Sequence, residues 1–265
     1  MSDTQYERDL DVAMQMADAA RAASLPYFRT PLVIENKLDG GFDPVTAADR
    51  AAEKAMRDIL ELHRPDDGIC GEEFGIKPSK SGREWVLDPV DGTRAFIAGL
   101  PTWTVLIALS DGGLPKIGVI DQPHNGERFI GWPGGARYQR GTERLDIRNG
   151  SGNDLTQAIM ATTDPYLFAG DEGPVFQQLR NRVRLCRYGY DAYAYAMIAA
   201  GNIDLVVETG LQKYDVAALI PVVEGAGGVV TNWAGGPAHE GGQVIAAANE
   251  KLHAAAIEIL KPVAR

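Results

Sequence analysis

The sequence predicts an α/β protein of two fused halves, and three observations carry that expectation. Apolar residues recur at helical spacing over residues 7–24 and again after residue 46. Four short β-rich runs separated by turns follow between residues 85 and 132. From about residue 150 onward, strand-like and helix-like runs alternate. The first two patterns describe an antiparallel meander flanked by two helices, and the third a layered sheet covered by helices. The expected division is 1–148 and 149–265, with a shared interface, because no repeat or low-complexity linker separates them.

In the first helix, Leu10, Ala13, Met14, Ala17 and Ala20 supply the apolar stripe, and Pro26 follows its end. The second opens after Pro44, where Thr46-Ala-Ala-Asp49 has the form of a capping box, and Ala52, Met56, Ile59 and Leu60 continue its apolar face. Trp85–Asp88, Trp103–Leu109, Lys116–Asp121 and Glu127–Trp132 are the predicted strands, punctuated by Asp111-Gly-Gly113 and His124-Asn-Gly126. In the second half, strands are expected at Gln157–Thr162, Val183–Arg187, Asp204–Glu208, Gly228–Thr231 and Gln243–Ala247. Helices are expected at Pro174–Arg182, Ala192–Ala200, Val216–Gly225 and Glu250–Leu260.

Charge and cysteine usage narrow the function classes. With 26 basic and 36 acidic residues the net charge is −10, which argues against a nucleic-acid partner. The same charge repels an anionic substrate unless cations stand between protein and ligand. Cys70 and Cys186 are far apart and form no metal-finger spacing, so reduced thiols are expected. The amino-terminal stretch is charged throughout, without a signal core, and no run of 18 apolar residues occurs, so the expected location is cytoplasmic, away from any membrane. The sequon Asn149-Gly-Ser151 is read as chance, and the four histidines have no ligand spacing.

The chemistry is concentrated in acids. Asp88 and Asp91 flank a Pro-Val step at the end of an apolar run. Pro89 forces a turn and Gly92 frees the backbone beyond it, so two carboxylates are delivered close together. Hard divalent ions such as Mg²⁺ favour oxygen ligands of this kind. The amides of Gly92 and Thr93, at an expected helix start, suit a phosphate. Each acid also has an ordinary structural reading. Asp88 and Asp91 suit a plain turn, and Glu72 of Gly71-Glu-Glu73 a solvated loop. Asp49 and Asp215 suit helix caps.

Taken together, Asp43-Pro-Val-Thr-Ala-Ala-Asp49, Gly71-Glu-Glu73, Trp85-Val-Leu-Asp-Pro-Val-Asp-Gly-Thr93 and Tyr214-Asp-Val-Ala-Ala218, followed by Glu224-Gly-Ala-Gly-Gly228, resemble the inositol monophosphatase superfamily in order and spacing. The resemblance implies a five-layered αβαβα sandwich, usually a homodimer, with two to three Mg²⁺ per active site and a phosphate monoester as substrate. Carried over, it places one metal on Glu72, Asp88 and the Val90 carbonyl, and a second on Asp88, Asp91 and Asp215, with Glu72 sharing a third. It makes Thr93, backed by Asp49, the pair that orients and deprotonates the attacking water, and the Gly92 and Thr93 amides the phosphate site. Tyr214 stands where the family usually has Trp, a packing change.

The ester is expected to be chosen in the second half. Arg187-Tyr-Gly-Tyr-Asp-Ala-Tyr-Ala-Tyr-Ala-Met197 puts Asp191 where inositol phosphatases carry a small residue, and Glu208 matches another substrate-contacting position. Two acids around the alcohol suit a cationic substrate. These segments, with Thr162-Thr-Asp-Pro-Tyr-Leu-Phe168, are similar to the histidinol-phosphate phosphatases of that superfamily, which implies L-histidinol phosphate as substrate, with inositol-1-phosphate or a sugar phosphate as the alternative. Asp191 also suits a helix N-cap, and Tyr193 and Tyr195 are read as packing residues.

Overall fold

The computed structural model describes residues 3–31, 33–36, 44–152 and 154–265. Helices α1 (Asp3–Ser24) and α2 (Ala47–His63) pack against each other, with the short pair β1 (Glu35–Asn36) and β2 (Pro44–Val45) between them in the chain. Asp43, the first residue of the Asp43–Asp49 motif, lies outside the described residues. The expected capping box is present: the Thr46 hydroxyl accepts the Ala48 amide, and Asp49 reaches back to the Thr46 amide. The buried stripe of α1 is Val12, Ala13, Met16, Ala17 and Ala20. Ala13, Ala17 and Ala20 lie on the expected face, and Leu10 and Met14 flank it, half-buried against the same core.

Eight strands follow: β3 (Gly68–Gly71), β4 (Gly75–Lys77), β5 (Arg83–Asp91), β6 (Thr104–Asp111), β7 (Leu114–Gln122), β8 (Glu127–Trp132), β9 (Gly135–Arg140) and β10 (Glu143–Asp146). They form one sheet in the order β10-β9-β8-β7-β6-β5-β3-β4. The meander is antiparallel from β5 to β10, while β3 lies parallel to β5. The four central runs match expectation. β3, β4, β9 and β10 were not expected, because they are short, Gly-bounded or polar and lack an apolar alternation long enough to read. A short helix, α3 (Thr93–Ile97), interrupts the chain between β5 and β6.

The second half adds β11 (Ile159–Thr162), α4 (Glu172–Arg180), β12 (Leu185–Tyr188), α5 (Tyr193–Ala199), β13 (Leu205–Leu211), α6 (Lys213–Val216), α7 (Leu219–Gly225), β14 (Val229–Asn232), β15 (Gly242–Ala247) and α8 (Glu250–Leu260). The sheet order is β12-β11-β13-β15-β14, parallel across β12-β11-β13 and antiparallel beyond. The helix expected at Val216–Gly225 is two helices, broken at Ala217 and Ala218.

The layers are α1/α2, the eight-stranded sheet, α5/α7, the five-stranded sheet and α4/α8, the expected αβαβα order. The central layer is very close to the larger sheet. A Cβ on Gly118 of β7 would overlap the Ala218 carbonyl, and one on Gly131 of β8 would overlap the Pro221 carbonyl. Glycine at these two positions lets the α7 backbone rest directly on the strands. Ala218, Leu219, Val222 and Val223 are buried there. Among the described residues no helix is long and apolar enough to cross a membrane.

Candidate active site

A regular strand would defeat the Asp88–Asp91 motif, because residues three apart point to opposite faces. β5 solves this with an irregularity. Asp88 pairs with Leu106 and Asp91 with Thr104, so three steps on β5 are matched by two on β6. Pro89, which has no N–H for the ladder, lies inside this bulge. The extra residue turns Asp91 onto the side of Asp88, and the Val90 amide donates to Asp88 Oδ1 at 3.1 Å. The turn then closes through Thr93, whose hydroxyl donates to the Val90 carbonyl at 3.1 Å. Gly92, the N-cap of α3, has φ +77°, a conformation that favours glycine.

Carboxylate oxygens of Asp88, Asp91 and Asp215 lie within 4.8 Å of one another. Asp215 arrives from α6, where its Oδ2 accepts the Gln212 amide at 2.6 Å. Gln212 is the N-cap, and Asp215 closes the first turn from inside the helix. Capping and clustering therefore coexist on one side chain. Glu72 comes in from the parallel neighbour: Gly71 pairs with Leu87, and the Glu72 amide donates to the Leu87 carbonyl at 3.2 Å, which brings Glu72 beside Asp88.

These groups repel one another. Burial, followed by the charges of Glu72, Asp91 and Asp215, holds Asp88 well above the usual carboxylate range. Burial and the charge of Asp191 do the same to Asp91, partly opposed by the Ala192 amide, which donates to Asp91 Oδ2 at 2.8 Å. Four converging hard oxygen donors whose mutual repulsion a cation would relieve fit a small divalent ion.

The remaining predicted residues fall in two places. Asp49 is buried, and its Oδ2 accepts from the amide and the hydroxyl of Thr46 at 2.9 and 2.6 Å. Asp191 does not cap α5: the N-cap is Ala192, and Asp191 itself takes φ +49°. Its carboxylate is instead held against Gly92, where a Cβ would come within 2.8 Å of Asp191 Oδ2. Burial pushes its pKa up to about 6, with Arg94 pulling the other way. Glu208, on β13, is pushed up to about 7 by burial. It is nonetheless well held, accepting the Thr163 amide at 2.7 Å and the hydroxyls of Thr163 and Thr162 at 3.0 and 3.1 Å. Asp91, Asp191, Glu208 and Asp215 all line one small cavity, together with Thr163 and Tyr195.

Two contributors escaped the sequence reading. Glu53, fully buried on α2, accepts the Glu73 and Phe74 amides at 2.7 and 3.2 Å and the Arg57 Nε at 2.7 Å. It thus pins the turn that presents Glu72. The available signal was an acid on an apolar helix face, between Ala52 and Met56. Thr163, the second, has no spacing in the sequence that marks it as the partner of Glu208.

The model of the inositol monophosphatase family matches residues 5–264. The chain belongs to that family. It is therefore a phosphatase of the phosphoric monoester hydrolase class, and its acidic cluster can hold a metal. Family relatives include the bifunctional phosphatase IMPL2, chloroplastic, of Arabidopsis thaliana, 40% identical over 98% of this chain and 77% of that protein. A histidinol-phosphatase of Chlorobaculum parvum is 35% identical over 92% of this chain and 93% of its own. Among solved structures, an inositol monophosphatase from Zymomonas mobilis superposes with a TM-score of 0.87 at 42% identity, covering 98% of this chain and all of the other.

Proposed function

We propose that this family member hydrolyses L-histidinol phosphate to L-histidinol and inorganic phosphate in a Mg²⁺-dependent reaction. The observation that carries the choice of ester is Asp191. It is an acid in a left-handed conformation, buried beside Gly92 and sharing one cavity with Glu208 and the acidic cluster. A non-glycine residue in that conformation is costly, and the side chain is not used as a cap, so a ligand-facing role accounts best for it. A buried carboxylate favours positive neighbours; Arg94 is one, and the ammonium and imidazole of histidinol phosphate would add another.

In this reading Glu72, Asp88, the Val90 carbonyl, Asp91 and Asp215 hold two to three Mg²⁺. The chemistry such ions supply is charge neutralisation of the phosphate and activation of water. In the same reading Thr93 and Asp49 act as a pair: the Thr93 hydroxyl orients the attacking water, and the proton it takes up is passed to the Asp49 carboxylate. The Gly92 and Thr93 amides bind phosphoryl oxygens, while Asp191 and Glu208 bind the cationic alcohol. A hydroxyl is a weak base alone, so Thr93 depends on the carboxylate behind it.

Inositol-1-phosphate is the second reading, favoured by the 42% identity to the Zymomonas mobilis enzyme. Side-by-side kinetics separate the two. The expected result is a higher kcat/KM on L-histidinol phosphate, and the reverse order overturns the assignment. Hydrolysis that persists after chelation of divalent ions would overturn the metal dependence.

A further inference from the structure

Most polar groups lining the cavity are already engaged. Thr163 serves Glu208, and the Ala192 amide serves Asp91. Of the two hydroxyl residues that line it, Tyr195 is the one left without a partner among the described residues. It is 2% exposed, and its hydroxyl makes no hydrogen bond to any described residue. It projects from α5 among the charges of Glu208, Asp91 and Asp215, which together with burial keep its phenol protonated. A buried donor without a partner costs about 1–3 kcal/mol, so such a group is retained where a ligand completes it. Ionised carboxylates supply only acceptors, and an alcohol oxygen gaining negative charge as its bond to phosphorus breaks requires a donor. The Tyr195 phenol remains one throughout the pH range in which those carboxyls ionise.

We propose that the Tyr195 hydroxyl is a substrate-binding donor to the leaving-group oxygen of the phosphate ester. This rests on reading the site as that of a phosphomonoesterase, but not on which ester is preferred. Tyr195 keeps its proton and acts by hydrogen bonding alone. Its help should therefore grow with the charge that the departing oxygen must carry. Alkyl esters, whose alkoxides are strongly basic, need it, whereas p-nitrophenyl phosphate, whose phenolate already delocalises its charge, does not.

The test is Tyr195→Phe, which removes one oxygen and keeps the ring. We expect kcat on L-histidinol phosphate and on inositol-1-phosphate to fall about tenfold, equivalent to about 1.4 kcal/mol. The value for p-nitrophenyl phosphate should change less than threefold, with KM for all three esters and the Mg²⁺ concentration for half-maximal rate within twofold of the parent protein. The melting temperature of the variant should equal or exceed that of the parent, since an uncompensated buried hydroxyl is removed. Equal kcat on the alkyl esters would overturn the inference, leaving Tyr195 a packing residue. A shifted Mg²⁺ requirement would also overturn it, assigning the hydroxyl to the metal-holding carboxylates. If inositol-1-phosphate proves the better substrate, the histidinol assignment fails while the Tyr195 comparison is still read on that ester.

Discussion

The two ends of the cavity are built in different ways. The acidic end is dominated by one strand: Asp88 and Asp91 sit three residues apart, and a single bulge aligns them. The alcohol end is assembled from pieces. Asp191 comes from the residue before α5's cap, Glu208 from β13, and the threonines that hold Glu208 from the end of β11 and just beyond. The two ends meet where the Ala192 amide donates to Asp91 Oδ2 at 2.8 Å and where the Asp191 carboxylate lies against Gly92. In the proposed reading, the chemistry common to many esters is thus placed on rigid local backbone, while selectivity rests on separated side chains that can vary without disturbing the ladder.

That contrast predicts graded effects. Asp88→Asn should lower activity on every ester by on the order of a thousandfold, as for loss of a central electrostatic group. The same change removes a buried repelling charge, so the metal-free variant should melt above the parent; a parallel loss of stability and activity would contradict the repulsion described for this cluster. Asp191→Asn keeps a residue that tolerates positive φ and removes only charge. It should reduce kcat/KM on L-histidinol phosphate by roughly 10- to 100-fold and on inositol-1-phosphate by much less. Equal losses would mean that Asp191 acts on the shared chemistry, and the division between the two ends would collapse.

Glu53→Gln probes the support of the acidic end. It should raise the Mg²⁺ concentration for half-maximal activity about tenfold, in the range of groups that orient metal ligands, with kcat recovered at saturating Mg²⁺. Unchanged Mg²⁺ dependence would show that the Glu72 turn holds its shape without that carboxylate.

The smallest effect concerns pH. Asp191 and Glu208 have folded values of about 6 and about 7, above the ordinary carboxylate values they have when unfolded. The folded chain therefore binds more protons between about pH 4 and pH 7, and stability falls as pH rises through that window. The metal-free protein should melt at a lower temperature at pH 7.5 than at pH 6. Glu208→Gln should flatten that slope; a slope unaltered in the variant would place the proton uptake elsewhere.

Much of the fold was readable because its signals are local. The capping box at Thr46 and Asp49, the Gly112–Gly113 turn and the helix at Glu250–Leu260 follow from residues within one or two turns of each other. The single helix expected at Val216–Gly225 is two helices in the structure, and the cause is again local. Its apolar run is continuous and Ala217 and Ala218 keep right-handed helical dihedrals, but Pro221 has no N–H to donate to the Ala217 carbonyl, so the hydrogen-bond ladder lapses there.

The site divides into local and long-range parts. Residue type and spacing alone determined that two carboxylates and a glycine turn would lie close together, because Asp88, Pro89, Asp91 and Gly92 are neighbours in the chain. Only the tertiary structure decided that Asp215 would join them, that Asp191 would abandon its cap, and that Glu53 and Tyr195 would matter at all. Their roles depend on which distant elements pack together, and that pairing is set by burial across the whole core.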